Sequence, residues 1–303
     1  MRIGISIGTA FTGEAGEAGE ALRSVLEQAR AARRAGLDTL SVGDHHSTGP
    51  GGYLQNVPTV GRLLAEWDDR PVGCLFLVPL WNPVLMAEQI GTLAAMASGP
   101  FIIQTGVGAG EGQFRAMGAS LGSRGRMLEE GILAVQALLR GETVSNQAWG
   151  FDSARIAPLP RQGTEWWIGA GARPAVERAA RTGDCWYANA DLTPDRAAQS
   201  LDWYRQACAR HDREPVRLPI RRDVLVAEDR LEAEKAGDAL MAAGYRGFDR
   251  SAVAYGDPDS VAEQLLPYKE MGFTDVIIRT MTVPAEAAVR SVELAGEVRA
   301  RLR

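Results

Sequence analysis

The stretch Thr39–His46 reads TLSVGDHH and joins an apolar run of strand character to a glycine and three ionisable residues. In parallel α/β proteins, catalytic side chains commonly follow the carboxyl ends of buried strands. Asp44, His45 and His46 occupy that position, and the chain has only 3 histidines in total. The alternative is that one imidazole caps the following loop while the other lies in solvent. We treat these three residues as the catalytic candidates.

The rhythm of strand, turn and helix around this stretch continues along the whole chain. Apolar runs of strand character alternate with amphipathic stretches of helical period. The predicted strands are Arg2–Gly8, Thr39–Gly43, Val72–Val78, Phe101–Val107, Glu165–Ile168, Asp184–Ala188, Leu218–Val226 and Asp275–Thr280. Because a predicted helix follows each strand, the sequence predicts an α/β protein, a (β/α)8 TIM barrel. We expect a single domain over residues 1–303, with insertions at about 142–164, after the fourth βα unit, and at about 243–256.

Composition and charge narrow the class of protein. The 303 residues, of which 46% are hydrophobic, suffice for one barrel with a large core. A net charge of −5 argues against a basic face that binds nucleic acid. Cys74, Cys185 and Cys208 are far apart and have no metal-binding spacing. No apolar run is long enough to span a membrane. We therefore expect a soluble cytoplasmic protein without a metal and without a nucleic-acid or membrane partner.

Two glycine-rich turns follow predicted strands, at Gly106–Gly112 and at Gly169–Ala172. Neither matches the G-x-G-x-x-G pattern of a dinucleotide-binding turn. Backbone amides without side-chain cover can nevertheless approach an anion or a flat ring closely. The alternative is that these glycines only form tight turns. We expect both turns to lie on the same face of the barrel and to contact a cofactor.

The order and spacing of these motifs resemble the bacterial-luciferase-like oxidoreductases, a family of flavin- and deazaflavin-dependent TIM barrels. Asp44-His45-His46 is similar to the acidic–His–His run of luciferase, and this resemblance implies that His45 is an acid/base residue beside the cofactor. Asp44 would then orient one imidazole or contact the cofactor. Further motifs occur in the family's order at Val78–Val84, Ala87–Leu93, Gly106–Gly118, Gly169–Asp184 and Gly256–Ala262.

The resemblance implies a reduced cofactor, either coenzyme F420, a deazaflavin, or FMN. Luciferase has an arginine where this chain has Val107, and the runs GVGAGE and GAG look more like members that use F420. The expected reaction is hydride transfer between reduced F420 and a small organic substrate. The alternatives are an FMN-dependent monooxygenase that uses reduced FMN and O2, and a barrel that binds a ligand without a cofactor. A separate reductase and a second copy of the chain, in a homodimer, are the implied protein partners.

The implied cofactor-binding residues are Cys74, Leu75, Gly106, Gly108, Gly110, Glu111, Gly169, Ala170 and Gly171. The resemblance also implies a bulge or a non-prolyl cis peptide bond between Cys74 and Leu75, under the cofactor ring. The alternative is a regular strand in which Cys74 is a small core residue. Because Asp44 precedes the histidines, we expect its carboxylate to raise the pKa of the His45 imidazole above its ordinary value of about 6.5.

Overall fold

The computed structural model describes residues 1–12, 16–49 and 51–303. The strands are β1 (Arg2–Ile7), β2 (Ala10–Phe11), β3 (Leu40–Val42), β4 (Gly52–Tyr53), β5 (Val72–Leu77), β6 (Phe101–Gly106), β7 (Val144–Asn146), β8 (Phe151–Ala154), β9 (Thr164–Ala170), β10 (Cys185–Ala188), β11 (Pro219–Val226), β12 (Val253–Gly256) and β13 (Asp275–Thr280). The α-helices are α1 (Glu17–Arg34), α2 (Asn56–Leu63), α3 (Pro83–Met96), α4 (Glu111–Ala116), α5 (Arg124–Leu139), α6 (Arg173–Thr182), α7 (Pro194–Arg210), α8 (Arg230–Ala242), α9 (Pro258–Met271) and α10 (Ala285–Leu302).

Eight of the strands form a closed parallel barrel. They pair in the order β1, β3, β5, β6, β9, β10, β11 and β13, and β13 pairs with β1 to close the cylinder. The predicted TIM barrel is therefore confirmed. Inside the barrel, one apolar layer consists of Ile102, Trp167, Cys185, Tyr187 and Ile277. A larger apolar layer lies between the strands and the surrounding helices, as parallel strands that are covered on both faces require.

Several helices begin where the sequence has a polar residue followed by proline. The side-chain oxygens of Asn82, Thr193 and Asp257 accept hydrogen bonds from backbone amides in the first turns of α3, α7 and α9. The proline that follows each cap has the backbone angle of a first helical residue and lacks the amide that would otherwise be unpaired. These caps determine where the chain leaves the carboxyl end of a strand and enters a helix.

Three short pairings add to the barrel. β7 and β8 form an antiparallel hairpin between α5 and β9. β2 and β4 pair antiparallel, which joins the segment after β1 to the segment after β3. β12 runs parallel to the last four residues of β11 and makes a ninth strand in the sheet, in a region where we predicted no strand. No helix in residues 1–12, 16–49 and 51–303 is long and apolar enough to cross a membrane.

The prediction of a bulge or cis bond between Cys74 and Leu75 is wrong. Within the described residues the cis peptide bond is Ala157–Pro158. β5 pairs in unbroken register with β3 on one side and β6 on the other. β5 pairs with β3 as far as Cys74 and with β6 over its whole length, and the Leu75 carbonyl accepts a hydrogen bond from Asn56 Nδ2. Nothing here offsets the cost of a non-prolyl cis bond, about 3–4 kcal/mol. The side chain of Cys74 is fully buried in the apolar layer beneath the helices.

A buried arginine supports the loop that follows β10. Arg222 is 1% exposed, and its guanidinium donates hydrogen bonds to the carbonyl oxygens of Ala190, at 3.1 Å, and Leu192, at 2.9 Å. It also donates to the Asn189 carbonyl at 3.2 Å and lies 4.1 Å from the centre of the Tyr268 ring. Arg222 therefore stabilises this loop through hydrogen bonds to neutral carbonyl groups and has no carboxylate partner among the described residues.

We expect Arg222→Met to lower the free energy of unfolding by about 3 kcal/mol, since each buried carbonyl left without a donor costs about 1–3 kcal/mol. Chemical denaturation monitored by circular dichroism measures the change. The matched control is Arg290→Met, because Arg290 pairs with Glu228 on the exposed surface and its removal should leave the unfolding curve unchanged. Coincident curves for both variants and the parent chain would contradict this role of Arg222.

Candidate active site

Asp44 connects the exits of two neighbouring barrel strands. β3 ends at Val42, and the chain turns at Gly43 to bring the Asp44 carboxylate against the end of β5. The side chain is buried, and Oδ2 accepts hydrogen bonds from the Leu77 amide at 2.8 Å and from the Trp81 indole Nε1 at 2.7 Å. These bonds fix the direction in which the two following histidines leave the strand.

His46 is the imidazole that Asp44 orients. His46 Nε2 lies 3.1 Å from Asp44 Oδ1. The backbone amide of His46 donates to Gln113 Oε1 at 3.0 Å, and its ring meets the Trp81 ring edge-on at 5.7 Å between centres. His46 is therefore held between the end of β3 and the start of α4, on the same side as Asp44.

His45 points into a different environment from its neighbour. Its ring stacks on Tyr53 of β4, with 3.8 Å between ring centres and an interplanar angle of 7°. A Cβ added to Gly43 would lie 3.2 Å from His45 Cε1, so the imidazole folds back over the strand end. Nδ1 is buried and has no hydrogen-bond partner among the described residues. Nε2 is therefore the ring nitrogen available to a ligand.

The pKa of His45 shifts opposite to our expectation. Burial lowers the pKa of the His45 imidazole to about 4, and the positive charges of Arg279, Arg246 and Arg221 act in the same direction. Asp44 raises the pKa, but one carboxylate that is engaged elsewhere does not outweigh burial and three guanidinium groups. The prediction of a raised pKa is wrong. His45 is therefore neutral at neutral pH.

A cavity of about 340 Å³ opens above the ends of the strands from β5 to β11, and Asp44, His45 and His46 are not among the residues that line it. Five of the predicted cofactor-binding residues line it together: Leu75, Gly106, Gly169, Ala170 and Gly171. Residues that we did not predict complete the wall: Thr105, Val107, Tyr187, Ala188, Asn189, Ala190, Asp191, Arg221, Arg246 and Phe248. The two glycine-rich turns thus contribute to one cavity, as expected from strand ends that meet on one face.

Neighbouring atoms approach two of the glycines closely, a fixed backbone oxygen at Gly169 and a movable side-chain end at Gly171. A Cβ on Gly169 would lie 2.6 Å from the Thr105 carbonyl oxygen of the adjacent strand. A Cβ on Gly171 would lie 2.8 Å from Asn189 Nδ2. Since real Cβ atoms do not come so close to other heavy atoms, this side of the cavity is walled by backbone.

Four of the predicted cofactor-binding residues lie outside the lining of this cavity. The Cys74 side chain points away from it, into the core. Gly108 and Gly110, with φ angles of 71° and 86°, form the turn that leads into α4. Glu111 is the first residue of α4 and is exposed. Within the described residues, the second half of the first glycine-rich run therefore turns the chain rather than lining the cavity.

Arginines are the main feature of the site that sequence reasoning missed. We call the open end of the barrel, at the carboxyl ends of its strands, the mouth. Arg221 of β11 and Arg246, in the turn after α8, line the cavity there, and Arg279 of β13 lies at the same end. A signal was present, because Arg221 and Asp223 are charged residues two apart on one face of a strand that is otherwise apolar. We overlooked it because arginine supplies almost all the positive charge of this chain, in which Lys235 and Lys269 are the only lysines.

Asp223 collects several donors at the inner end of this cluster. The side chain is fully buried, and Oδ1 accepts from Arg221 Nε at 3.2 Å and Nη2 at 3.1 Å. Oδ2 accepts from the Tyr245 hydroxyl at 2.9 Å and lies 3.4 Å from Arg246 Nη1. Burial, with the Asp223 charge, raises the pKa of Tyr245 to about 12, so its hydroxyl remains a donor at neutral pH.

We expect the His45 resonance to remain that of a neutral imidazole from pH 8 down to pH 5. Burial and the nearby arginines disfavour the charged form, so protonation should begin only as the pH approaches 4. Proton NMR of the histidine C2–H signals measures this, and His45→Gln, His46→Gln and His211→Gln assign the three signals. A His45 midpoint near the ordinary value of about 6.5 would contradict this electrostatic description of the mouth.

Comparisons with known proteins show which family the chain resembles. The family model described as luciferase-like monooxygenase matches residues 1–252. The FMNH2-dependent dimethylsulfone monooxygenase of Pseudomonas fluorescens is 26% identical over 80% of this chain and 67% of its own length. The F420-dependent glucose-6-phosphate dehydrogenase of Beutenbergia cavernae is 26% identical over 93% of this chain and 94% of its own length.

Solved structures show the same fold. An F420-dependent secondary alcohol dehydrogenase, in complex with an F420–acetone adduct, superimposes with a TM-score of 0.79 at 15% identity and covers 100% of this chain and 99% of its own. The monooxygenase RslO1 from Streptomyces bottropensis has a TM-score of 0.79 at 21% identity and covers 98% of each chain. Because the family model covers most of the chain, this protein belongs to the luciferase-like monooxygenase family, whose members are flavin- or F420-dependent enzymes.

Proposed function

We propose that this enzyme transfers a hydride between coenzyme F420 and a small organic substrate with a hydroxyl or carbonyl group. The observation that carries the proposal is His45, a neutral imidazole at the mouth of the barrel with Nε2 available to a ligand. Oxidation of an alcohol requires a group that accepts the hydroxyl proton, and the unprotonated imidazole of His45 has a nitrogen lone pair for it, as a weak base because its pKa is about 4.

The cavity has the properties that a flat ring with a phosphate-bearing chain requires. Leu75 and Val107 offer apolar contact, and the backbone wall at Gly169–Gly171 can approach an anion closely. Two polar atoms near the cavity, Gln104 Nε2 and Thr105 Oγ1, are buried and have no hydrogen-bond partner in the described part of the chain. Buried polar groups without partners are uncommon in proteins, so they favour a ligand with polar edges.

In this arrangement the side chains orient the substrate and move one proton. F420, when bound, would accept or supply the hydride. His45 Nε2 would take the proton from the substrate hydroxyl as the carbon is oxidised, and would return it in the reverse direction. Tyr53 stacks on the imidazole and keeps its plane fixed, while Asp44 holds the end of β3 from which His45 projects.

Two observations favour F420 over FMN. Val107 places an uncharged side chain where luciferase has an arginine, which weakens a luciferase-like FMN site. The F420-dependent relative also aligns with more of this chain, 93%, than the FMNH2-dependent one, 80%. An FMN-dependent monooxygenase is the second candidate, and the dimethylsulfone monooxygenase relative is the observation that favours it.

Titration of the purified protein with each oxidised cofactor, followed by cofactor fluorescence, tests the proposal. We expect F420 to bind at least about tenfold more tightly than FMN, a difference of about 1.4 kcal/mol. We also expect His45→Gln to lower the rate of alcohol-dependent F420 reduction by about 10²–10⁴-fold while F420 affinity is unchanged. Tighter FMN binding together with substrate-dependent O2 consumption would instead establish the monooxygenase.

The position of the cofactor phosphate has a separate test. We expect Gly171→Glu to lower F420 affinity by about 100-fold or more, because a carboxylate would then stand beside the backbone amides that receive the phosphate. The neighbouring atom is the end of the Asn189 side chain, which can move, so the fold should be retained. Gly163→Glu is the control, since nothing lies within 4 Å of its Cβ position. Equal F420 affinity in both variants would show that the phosphate binds elsewhere.

A further inference from the structure

Among the described residues, the three arginines of the barrel mouth contact only one carboxylate, that of Asp223. We infer that the substrate carries an anionic group, a carboxylate, sulfonate or phosphate ester, and that Arg279, Arg221 and Arg246 bind it. For the reaction at the rest of the substrate, this inference rests on the proposed function. The anion-binding site itself can be tested without any cofactor.

The count of charges around the site carries the argument. Three guanidinium groups face the mouth, and Asp223 is the one buried carboxylate that contacts any of them. Asp44 and Asp191 also carry negative charge, but neither forms an ion pair with these arginines among the described residues. Asp44 instead accepts hydrogen bonds from Leu77 and Trp81, and Asp191 is exposed at the rim of the cavity. The unpaired positive charge is therefore local, on the side of the mouth where Arg279 lies.

Arg279 is the clearest part of this unpaired charge. It belongs to β13 and is half-buried, and it has no hydrogen bond and no ion pair with any residue that the structure describes. A Cβ on Gly8 would lie 3.5 Å from Arg279 Nη2, so the guanidinium extends across the end of β1. Burial, and repulsion by Arg221 and Arg246, lower the pKa of Arg279. Asp223, the Cα partner of Arg279 on β11, acts to raise that pKa but forms no ion pair with the guanidinium, so a ligand of opposite charge would stabilise this cation further.

Other half-buried arginines of the chain form ion pairs with carboxylates. Arg2 pairs with Asp275, Arg217 with Glu165 and Arg299 with Asp38. Each of these cations has its own carboxylate, which is the usual arrangement for charges withdrawn from water. Arg222 has no carboxylate but donates to backbone carbonyl groups, so Arg279 differs from all of these arginines in having neither kind of acceptor among the described residues.

Arg221 and Arg246 contact Asp223 with only some of their N–H groups, and the others can bind a ligand. Each guanidinium has five N–H groups. Arg221 uses Nε and Nη2 on Asp223 Oδ1, and Arg246 approaches Asp223 Oδ2 with Nη1. The remaining N–H groups match the two or three oxygens of a carboxylate, sulfonate or phosphate, which arginine commonly binds through two parallel hydrogen bonds.

The backbone at Arg246 supports a ligand-binding role. Its φ angle of 49° lies in the left-handed region, which a non-glycine residue rarely adopts. Gly247, the next residue, also has a positive φ, 68°. This conformation holds the Arg246 guanidinium 5.0 Å from the centre of the Phe248 ring, at the wall of the cavity. Strained backbone of this kind persists mainly at functional sites.

The location favours the substrate over the cofactor phosphate as the bound anion. The backbone wall that we assign to the cofactor phosphate is at the ends of β9 and β10, near Gly171. Arg221 and Arg246 line the same cavity as this wall, whereas Arg279 is outside its lining, beside the end of β1 and close enough to His45 to lower its pKa. An anion held there would stand next to the residue that exchanges a proton with the substrate.

The test uses the cofactor-free protein and methylphosphonate or methanesulfonate as probes, with neutral dimethyl sulfone as the matched control. At pH 7 and low salt we expect saturable binding by calorimetry with a dissociation constant on the order of 1 mM. Each anion should also shift the His45 C2–H resonance, and dimethyl sulfone should do neither.

Arg279→Met should weaken anion binding by about tenfold or more, and Arg279→Lys should weaken it less because the charge remains. Arg246→Gly, which suits the local backbone angle, provides a second variant should Arg279→Met fold poorly, and about fivefold weaker binding is expected. The control is Arg290→Met on the exposed surface, with unchanged binding.

Three results would overturn the inference. One is that neither anion binds the parent protein. Another is that binding is unchanged in both Arg279→Met and Arg246→Gly. The third is that Arg279→Met lowers F420 affinity as strongly as Gly171→Glu, which would assign the arginine to the cofactor. Failure of F420 to bind at all would count against the proposed function and leave the anion measurement intact.

Discussion

The arrangement of the barrel mouth depends on the buried carboxylate of Asp44. Its hydrogen bonds to the Leu77 amide and the Trp81 indole hold the exits of β3 and β5 together. Its remaining oxygen lies near His46, so that imidazole is directed toward α4. His45, the next residue back along the chain, is thereby directed the other way, onto Tyr53. One carboxylate thus gives two adjacent histidines different surroundings.

Because the Asp44 carboxylate bonds to other groups, the pKa of His45 depends on burial and on nearby arginines more than on Asp44. Asp44 adjoins His45 in the chain, but its strongest interactions are with other groups. Burial and the arginines of β11 and β13 dominate the free energy of charging the imidazole. The same positive charge that keeps His45 neutral would attract an anionic substrate, so the two properties have one physical origin.

The sequence predicted the barrel because its signals are local and repeated. Apolar strands, capped helices and glycine turns recur at each βα unit, and the strand ends of such a fold meet on one face. For the same reason it predicted that Gly169–Gly171 would lie at this end of the barrel. It did not predict the arginines, since their significance lies in missing partners, and a missing partner becomes visible only when distant strands are brought together. β12 escaped prediction because a short strand inside an irregular segment has no period to recognise.

The inferred bulge under Cys74 shows the limit of resemblance. The family resemblance suggested distorted backbone, whereas the local pairing of β5 with both neighbours is regular. Leu75 nevertheless lines the cavity, because in an undistorted strand alternate side chains face the barrel interior and Cys74 faces the helices. The side chain at the cavity wall therefore follows from the strand's ordinary two-residue period.

A crystal structure of the protein grown with F420 tests the central claim most directly, namely that one end of the mouth holds the cofactor and the other receives the substrate. The account predicts electron density for the cofactor ring against Leu75 and Gly106, with its phosphate at Gly169–Gly171 and with Arg279 free of cofactor contacts. Density for the phosphate on Arg279, or for the ring away from Leu75 and Gly106, would contradict it.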